Sequence, residues 1–144
     1  MKRDRELIDH LKVIPLFMAC SNDELTRIAS ASSVLSYPAG TVLAKEGELG
    51  CEFMVIADGT AEVSVHGKVR AELGPADYFG EVALLDGGPR TATVTATTAL
   101  VAHVLEERDF SVIIQDSPSV ARKLLIGVAK RLRNAELSLE QSPG

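Results

Sequence analysis

Phe79-Gly80-Glu81-Val82-Ala83-Leu84-Leu85-Asp86-Gly87-Gly88-Pro89-Arg90-Thr91-Ala92 has the composition of a strand end, a short helical turn over residues 81–85, a glycine-rich loop and one arginine entering a new strand. Gly80 has no Cβ, so the backbone there can approach a ligand closely. The first N–H groups of a helical turn lack partners inside the helix and attract an anion. Gly87-Gly88-Pro89 reverses the chain and returns Arg90 toward that turn. A guanidinium is a rigid fork of donors that suits a phosphate. Glu81 is the carboxylate beside these groups; it does not serve an anion, but it can accept hydrogen bonds from sugar hydroxyls. Taken singly, each member has an ordinary reading. Glycine-rich loops are turns, an arginine after a turn is solvated, and a glutamate in a first helical turn answers the helix dipole. The combination, in this order and spacing, points to a sugar phosphate.

Around that stretch the texture is β-rich. From residue 33 to 106 short branched and apolar runs alternate with turn signals: Val34-Leu35, Pro38-Ala39-Gly40, Thr41-Val42-Leu43, 47–50, 53–56, Asp58-Gly59, 61–65, His66-Gly67-Lys68, 69–73 and Gly74-Pro75. Short strands spaced roughly 8 to 12 residues apart predict an antiparallel sandwich or jelly roll. Asp58-Gly59 is a tight-hairpin signal. After Arg90, residues 91–98 are strongly β by their branched side chains, and residues 100–105 supply the last strand.

Helices flank this body. Leu7, Ile8 and Leu11 fall on one face at helical spacing, and Pro15 interrupts. Ser21 and Glu24 are spaced as a capping box that opens a second helix, with Leu25, Ile28 and Ala29 on its apolar face. Beyond the strands, residues 108–115 form a short amphipathic turn with Phe110, Ile113 and Ile114. Ser117 then suits an N-cap and Pro118 the first helical position. Val120, Leu124, Leu125, Val128, Leu132 and Ala135 share one broad face of the final helix, a pattern of core or dimer seam. Gly127 interrupts that helix at a cost of roughly 1 kcal/mol against alanine. Residues 140–144 have the character of a frayed end.

Composition narrows the classes. A chain of 144 residues is expected to form one domain with a real core. Its 46% hydrophobic and 24% charged residues are ordinary for a globular protein. No apolar run is long enough to span a membrane, and the basic N-terminus lacks the apolar core of a signal peptide. Cys20 and Cys51 lack metal-type spacing and are expected to be reduced thiols in a cytoplasmic protein. The formal charge is −5, and residues 41–90, with nine acidic and four basic side chains, carry −5 by themselves. Such a body argues against nucleic-acid binding, and binding an anion within it requires a dedicated local cation, which gives Arg90 its weight. His10, His66 and His103 are scattered, so neither a metal cluster nor a catalytic triad is expected.

The segment 79–92 resembles the phosphate-binding cassette of the cyclic-nucleotide-binding domains, the sensor domains of kinase regulatory subunits, cyclic-nucleotide-gated channels and catabolite activators. The resemblance runs over roughly residues 11–139. Glu46-Gly47-Glu48-Leu49-Gly50-Cys51-Glu52-Phe53 also resembles the family, which usually has glycines before an aromatic strand; relatives often carry Asp where this chain has Cys51. The implied fold is α+β, mainly β: an antiparallel jelly roll (residues 33–106) between an N-terminal helical segment (1–32) and C-terminal helices with a lid (107–139), all one domain. The implied ligand is a cyclic nucleotide. Within the cassette, bounded by Phe79 and Ala92, Arg90 would pair with the exocyclic phosphate oxygens and the N–H groups of Val82 and Ala83 would meet the phosphate. Glu81, with the Gly80 backbone, would hold the ribose 2′-hydroxyl. Thr91 would place a hydroxyl near the phosphate and the base. Val63, Ala71 and Leu73 fall where relatives line the base pocket, and Arg131 matches a position that stacks over the purine in some channels. The N-terminal helices resemble the segment that relays ligand binding to an effector.

The resemblance implies a regulatory sensor, not an enzyme, that takes cAMP and acts on an effector protein, with no cofactor, no nucleic acid and no membrane insertion by this chain. Thr after the cassette arginine also resembles cGMP-dependent kinases, so cGMP is the alternative ligand. A degenerate domain kept as an interaction module is the alternative function; retention of Gly80, Glu81, Arg90 and Thr91 together argues against it. The chain ends too soon for the DNA-binding domain that some relatives carry. It is expected to be either a stand-alone sensor, which the complete-looking N-terminus favours, or one domain of a longer protein.

Overall fold

Apolar residues at helical spacing and one capping box place the first helices. The computed structural model describes residues 2–141. Helix α1 covers Lys2–Leu11, a single 3-10 turn Pro15–Phe17, and helix α2 Asn22–Ala31. The capping box is formed in full: Ser21 N–H donates to Glu24 Oε1 at 2.7 Å, and Glu24 N–H donates to Ser21 Oγ at 3.2 Å. Eight strands follow: β1 Ser33–Tyr37, β2 Val42–Ala44, β3 Glu52–Asp58, β4 Ala61–Val65, β5 Lys68–Leu73, β6 Tyr78–Phe79, β7 Thr93–Ala96 and β8 Leu100–Glu106, with the short helix α3, Ala83–Asp86, between β6 and β7. Helix α4, Glu107–Asp116, and the long helix α5, Pro118–Gln141, complete the described residues. Of the frayed end expected at 140–144, residues 142–144 lie outside them.

All pairings are antiparallel, in two four-stranded sheets ordered β1-β8-β3-β6 and β2-β7-β4-β5. The jelly-roll expectation holds, with one local correction. Asp58-Gly59 does not close a hairpin, because β3 and β4 lie in different sheets. Gly59, at φ +90°, and the Asp58 carboxylate, which accepts the Gly59 N–H at 2.9 Å, build a corner that carries the chain from one sheet to the other. Within its own sheet β3 pairs with β8 on one edge and β6 on the other, so no edge is left for β4, and the two-residue connection crosses to the second sheet. The tight hairpin falls instead at His66-Gly67, both at positive φ (+52° and +79°), and joins β4 to β5. Both positive angles are what a two-residue turn needs to match strand twist.

The molecule divides into two compact units, Ser30–Ser111 and Met1–Ala29 with Val112–Gly144. In the β unit, Leu43, Met54, Ile56, Val94, Leu100 and Val104, drawn from both sheets, form one buried cluster against which Val63, Leu73 and Phe79 pack. In the helical unit, Leu11, Phe17, Leu25, Ile28, Val120 and Leu124 are buried. Gly127 has its reason there: a Cβ would stand 2.6 Å from the carbonyl oxygens of both Pro15 and Leu16. Glu24 ties α2 to α5 by accepting from Ser119 Oγ at 2.7 Å and Lys123 Nζ at 2.5 Å. Burial opposes its charge, but the Lys123 ammonium, the Ser21 N–H and the Ser119 and Ser21 hydroxyls outweigh that and lower its pKa from 4.5 to about 2. Burial, and then the charge of Glu24, push the Cys20 thiol up to about 11, with Lys123 pulling the other way. The broad apolar face expected on the last helix divides: Val120 and Leu124 are core, whereas Leu125 is 70% and Leu132 60% exposed. Among the described residues, no helix is long and apolar enough to cross a membrane.

Candidate functional site

The arginine predicted as the local cation is held by a second loop. Arg90 N–H donates to Glu48 O at 2.7 Å, Gly47 N–H to Arg90 O at 2.9 Å and Gly50 N–H to Gly88 O at 3.0 Å, with a β-bridge between Leu49 and Pro89. The connection between β2 and β3 is thereby zipped onto residues 88–90. Backbone pairing of this kind fixes the Arg90 Cα without using its side chain.

The side chain then runs through a slot between two glycines. A Cβ at Gly50 would stand 2.7 Å from Arg90 Nε and 2.9 Å from its Cδ. At Gly80, which sits at φ +87°, a Cβ would stand 2.5 Å from both Arg90 Nη1 and Glu52 O. Arg90 Nη2 donates to that same Glu52 carbonyl at 2.8 Å. Gly80 is therefore required by the close Glu52 carbonyl and its left-handed backbone, while Gly50 leaves room for the Arg90 side chain in this position. Phe79 leads into the slot by pairing with Met54 across β6 and β3.

The helical turn after Gly80 is shorter and later than residues 81–85. Ala83 N–H donates to Gly80 O at 3.1 Å, so the left-handed glycine is followed by a tight turn before the helix begins at Ala83. Gly87, at φ +60°, ends the helix and donates to Ala83 O at 2.9 Å. Glu81 is half-buried, Val82 exposed and Ala83 buried; beyond Arg90, Thr91 is exposed and Ala92 half-buried. Val63 and Ala71 are direct cross-strand partners on the β4–β5 hairpin, and Leu73, two residues on, shares their face. Val63 and Leu73 pack against the buried cluster, while Ala71 is exposed. Arg131 is an exposed residue of α5 in the helical unit, so it is not among the residues that the β unit itself brings together.

A cavity of about 290 Å³ opens beside Arg90, with Ala44, Lys45, Glu48, Cys51 and Glu52 on its wall. Sequence reasoning did not mark Gly50, Glu52, Lys45 or Glu48 as site residues. The signal was present in residues 46–53, whose glycines precede an aromatic strand, but nothing local says that these residues close on Arg90. Its wall carries two cations and two carboxylates, but of the expected ligand-binding residues only Arg90 lines it, so this cavity lies on the other side of Arg90 from the residues expected to hold the ligand's sugar and base. Among the described residues no group of three His, Cys, Asp or Glu is placed to hold a metal ion.

Comparison with known proteins bears on the family and the fold. The family model described as cyclic nucleotide-binding domain matches residues 34–117. A cAMP-dependent protein kinase regulatory subunit of Eremothecium gossypii is 41% identical over 79% of this chain and 25% of that protein. A cyclic nucleotide-gated potassium channel of Mesorhizobium japonicum is 36% identical over 75% of this chain and 30% of that protein. The chain thus spans less than a third of the length of either curated relative. Among solved structures, the N-terminal domain of a transcriptional regulator from Streptomyces coelicolor superposes with a TM-score of 0.81 at 31% identity, over 91% of this chain and 95% of that one.

Proposed function

Since this chain belongs to the cyclic nucleotide-binding domain family, we propose that it is a sensor that binds cAMP and passes the bound state to an effector protein. One observation carries the reading: the Arg90 guanidinium is threaded between Gly50 and Gly80, directly before the turn that carries Glu81, Val82 and Ala83. A cation so held loses little freedom when it pairs with a phosphate, which favours affinity.

In this reading Arg90 pairs with the exocyclic phosphate oxygens and Glu81 accepts the ribose 2′-hydroxyl. The N–H groups of Val82 and Ala83 turn to the phosphate, and the Ala83 donor leaves Gly80 O to do so. Val63, Ala71 and Leu73 line the base, Thr91 adds a hydroxyl, and Arg131 caps the purine from α5. Ligand then shifts a balance between two placements of α5, and it can do so only by the difference in its affinity for them. The site does no chemistry on the ligand, and the protein works in the cytoplasm as a regulator. The cAMP-dependent kinase subunit among the relatives supports cAMP over cGMP.

Isothermal titration of nucleotide-stripped protein with cAMP and cGMP tests the reading. One-to-one binding of both, with cAMP the tighter, is expected. Arg90→Gln is expected to weaken cAMP by about 100-fold, since it removes a charge-assisted pair. Binding unchanged in that variant would dismiss the cassette assignment, and no binding by the parent chain would leave an interaction module.

A further inference from the structure

Glu46 stands where three parts of the β unit meet. Its own N–H donates to Thr93 Oγ1 at 3.1 Å, at the start of β7. Its carboxylate grips a residue twenty positions on: Oε1 accepts the His66 N–H at 3.0 Å, and Oε2 lies 3.1 Å from His66 Nδ1. The next two residues of the same loop hold Arg90, through Gly47 N–H to Arg90 O and Arg90 N–H to Glu48 O. His66 is the tip of the β4–β5 hairpin that carries Val63 and Ala71.

His66 is also one of two described non-glycine residues at positive φ. That angle belongs to the two-residue turn itself, so the turn presents the His66 N–H and imidazole together to the Glu46 carboxylate. The Glu46 side chain is 26% exposed while the imidazole is 85% exposed. The carboxylate is therefore the anchored member, and the hairpin tip is what it captures.

We propose that Glu46 is a positioning residue for cyclic-nucleotide recognition: one carboxylate that locks the hairpin bearing the base wall to the loop bearing the phosphate arginine. The inference rests on the cyclic-nucleotide reading above. It adds that this tether, at the hairpin tip beyond the β4–β7 ladder, sets how closely the base wall and the phosphate arginine are held in register. Preorganisation of that kind lowers the cost of engaging both ends of a ligand at once.

The test compares two probes, cAMP and ribose 3′,5′-cyclic phosphate, which lacks the base. In the parent chain cAMP binds more tightly. In Glu46→Ala that advantage is expected to shrink by about tenfold, because the base wall is no longer held in register with Arg90. Glu46→Gln is expected to restore it to within about threefold, since the amide oxygen can accept the His66 N–H and the amide nitrogen can donate to the imidazole. His66→Gly keeps the backbone donor and is expected to lose less than Glu46→Ala. Circular dichroism establishes that each variant is folded; should Glu46→Ala not fold, Glu46→Asp, whose carboxylate falls one methylene short of His66, takes its place as the loss variant, with Glu46→Gln still expected near the parent. Equal loss for both probes in Glu46→Ala means a general structural effect and overturns the proposal, as does no loss for either, or failure of Glu46→Gln to rescue. A parent chain that binds neither probe overturns the cyclic-nucleotide reading itself and this proposal with it.

Discussion

Gly50 and Gly80 flank the same guanidinium, yet substitution at each should act differently. A Cβ at Gly80 meets the Glu52 carbonyl oxygen, which is backbone and cannot yield, and Gly80 holds a left-handed φ. Gly50 is not left-handed, and its three nearest neighbours are Arg90 side-chain atoms, which can move. Gly50→Ala should therefore leave the fold within about 0.5–1.5 kcal/mol of the parent, as for a displaced rotamer, while lowering cAMP affinity at least about tenfold by moving the guanidinium. Urea unfolding beside titration calorimetry checks both halves; a loss of stability matching the loss of affinity would refute the slot. At this scale the sequence was informative about which residues are chemically special, because a glycine and an arginine in one short segment are visible without a fold. It was silent about Gly50 and Glu52, because their closeness to Arg90 depends on a loop thirty-eight residues away.

Between elements, α5 is seated on its neighbours at two points, and each yields a measurable effect. At Gly127 the backbone of the Pro15–Phe17 turn comes so close that a methyl group would meet two carbonyl oxygens. Gly127→Ala should lower stability by about 1–3 kcal/mol despite the better helix propensity of alanine, since overpacking against backbone outweighs a gain of about 1 kcal/mol. A stabilised variant in thermal or urea melts would show that contact to be absent. At Glu24 the folded pKa is depressed, from 4.5 to about 2. Its contribution is therefore complete above pH 4.5 and is lost as the pH falls toward 2. Glu24→Gln, which leaves the Lys123 ammonium unpaired, should cost about 1–3 kcal/mol at neutral pH. It should also flatten the decline of stability between pH 4.5 and 2, followed by urea unfolding across that range. The capping box and the apolar spacing of α5 were legible in the sequence. That the buried part ends near Gly127 was not, because amphipathicity states that a face wants cover and not what covers it.

For the molecule as a whole, ligand binding and stability are linked. A nucleotide that binds the folded chain and not the unfolded one adds about 2.7 kcal/mol at a concentration 100 times its Kd. For a chain of this size that corresponds to a rise of about 5–10 °C in the melting midpoint. The rise should be seen with cAMP by differential scanning calorimetry and should be lost in Arg90→Gln at the same concentration. A parent chain whose midpoint ignores saturating cAMP would contradict the sensor assignment independently of any titration heat.

The sequence by itself determined the order and kind of the elements, the capping box at Ser21 and Glu24, and the cassette segment with its glycine and its arginine. These depend on neighbours within one turn or one strand, where propensity and period act directly. Only the tertiary structure decided that Asp58-Gly59 is a corner and His66-Gly67 the hairpin, that Arg90 lies between Gly50 and Gly80, and that Glu46 joins the hairpin tip to the arginine loop. Each of those depends on which buried faces seek one another across dozens of residues. A turn signal states that the chain bends, while the pairing of β3 with β8 and β6, distant in sequence, decides that the bend leads to the other sheet.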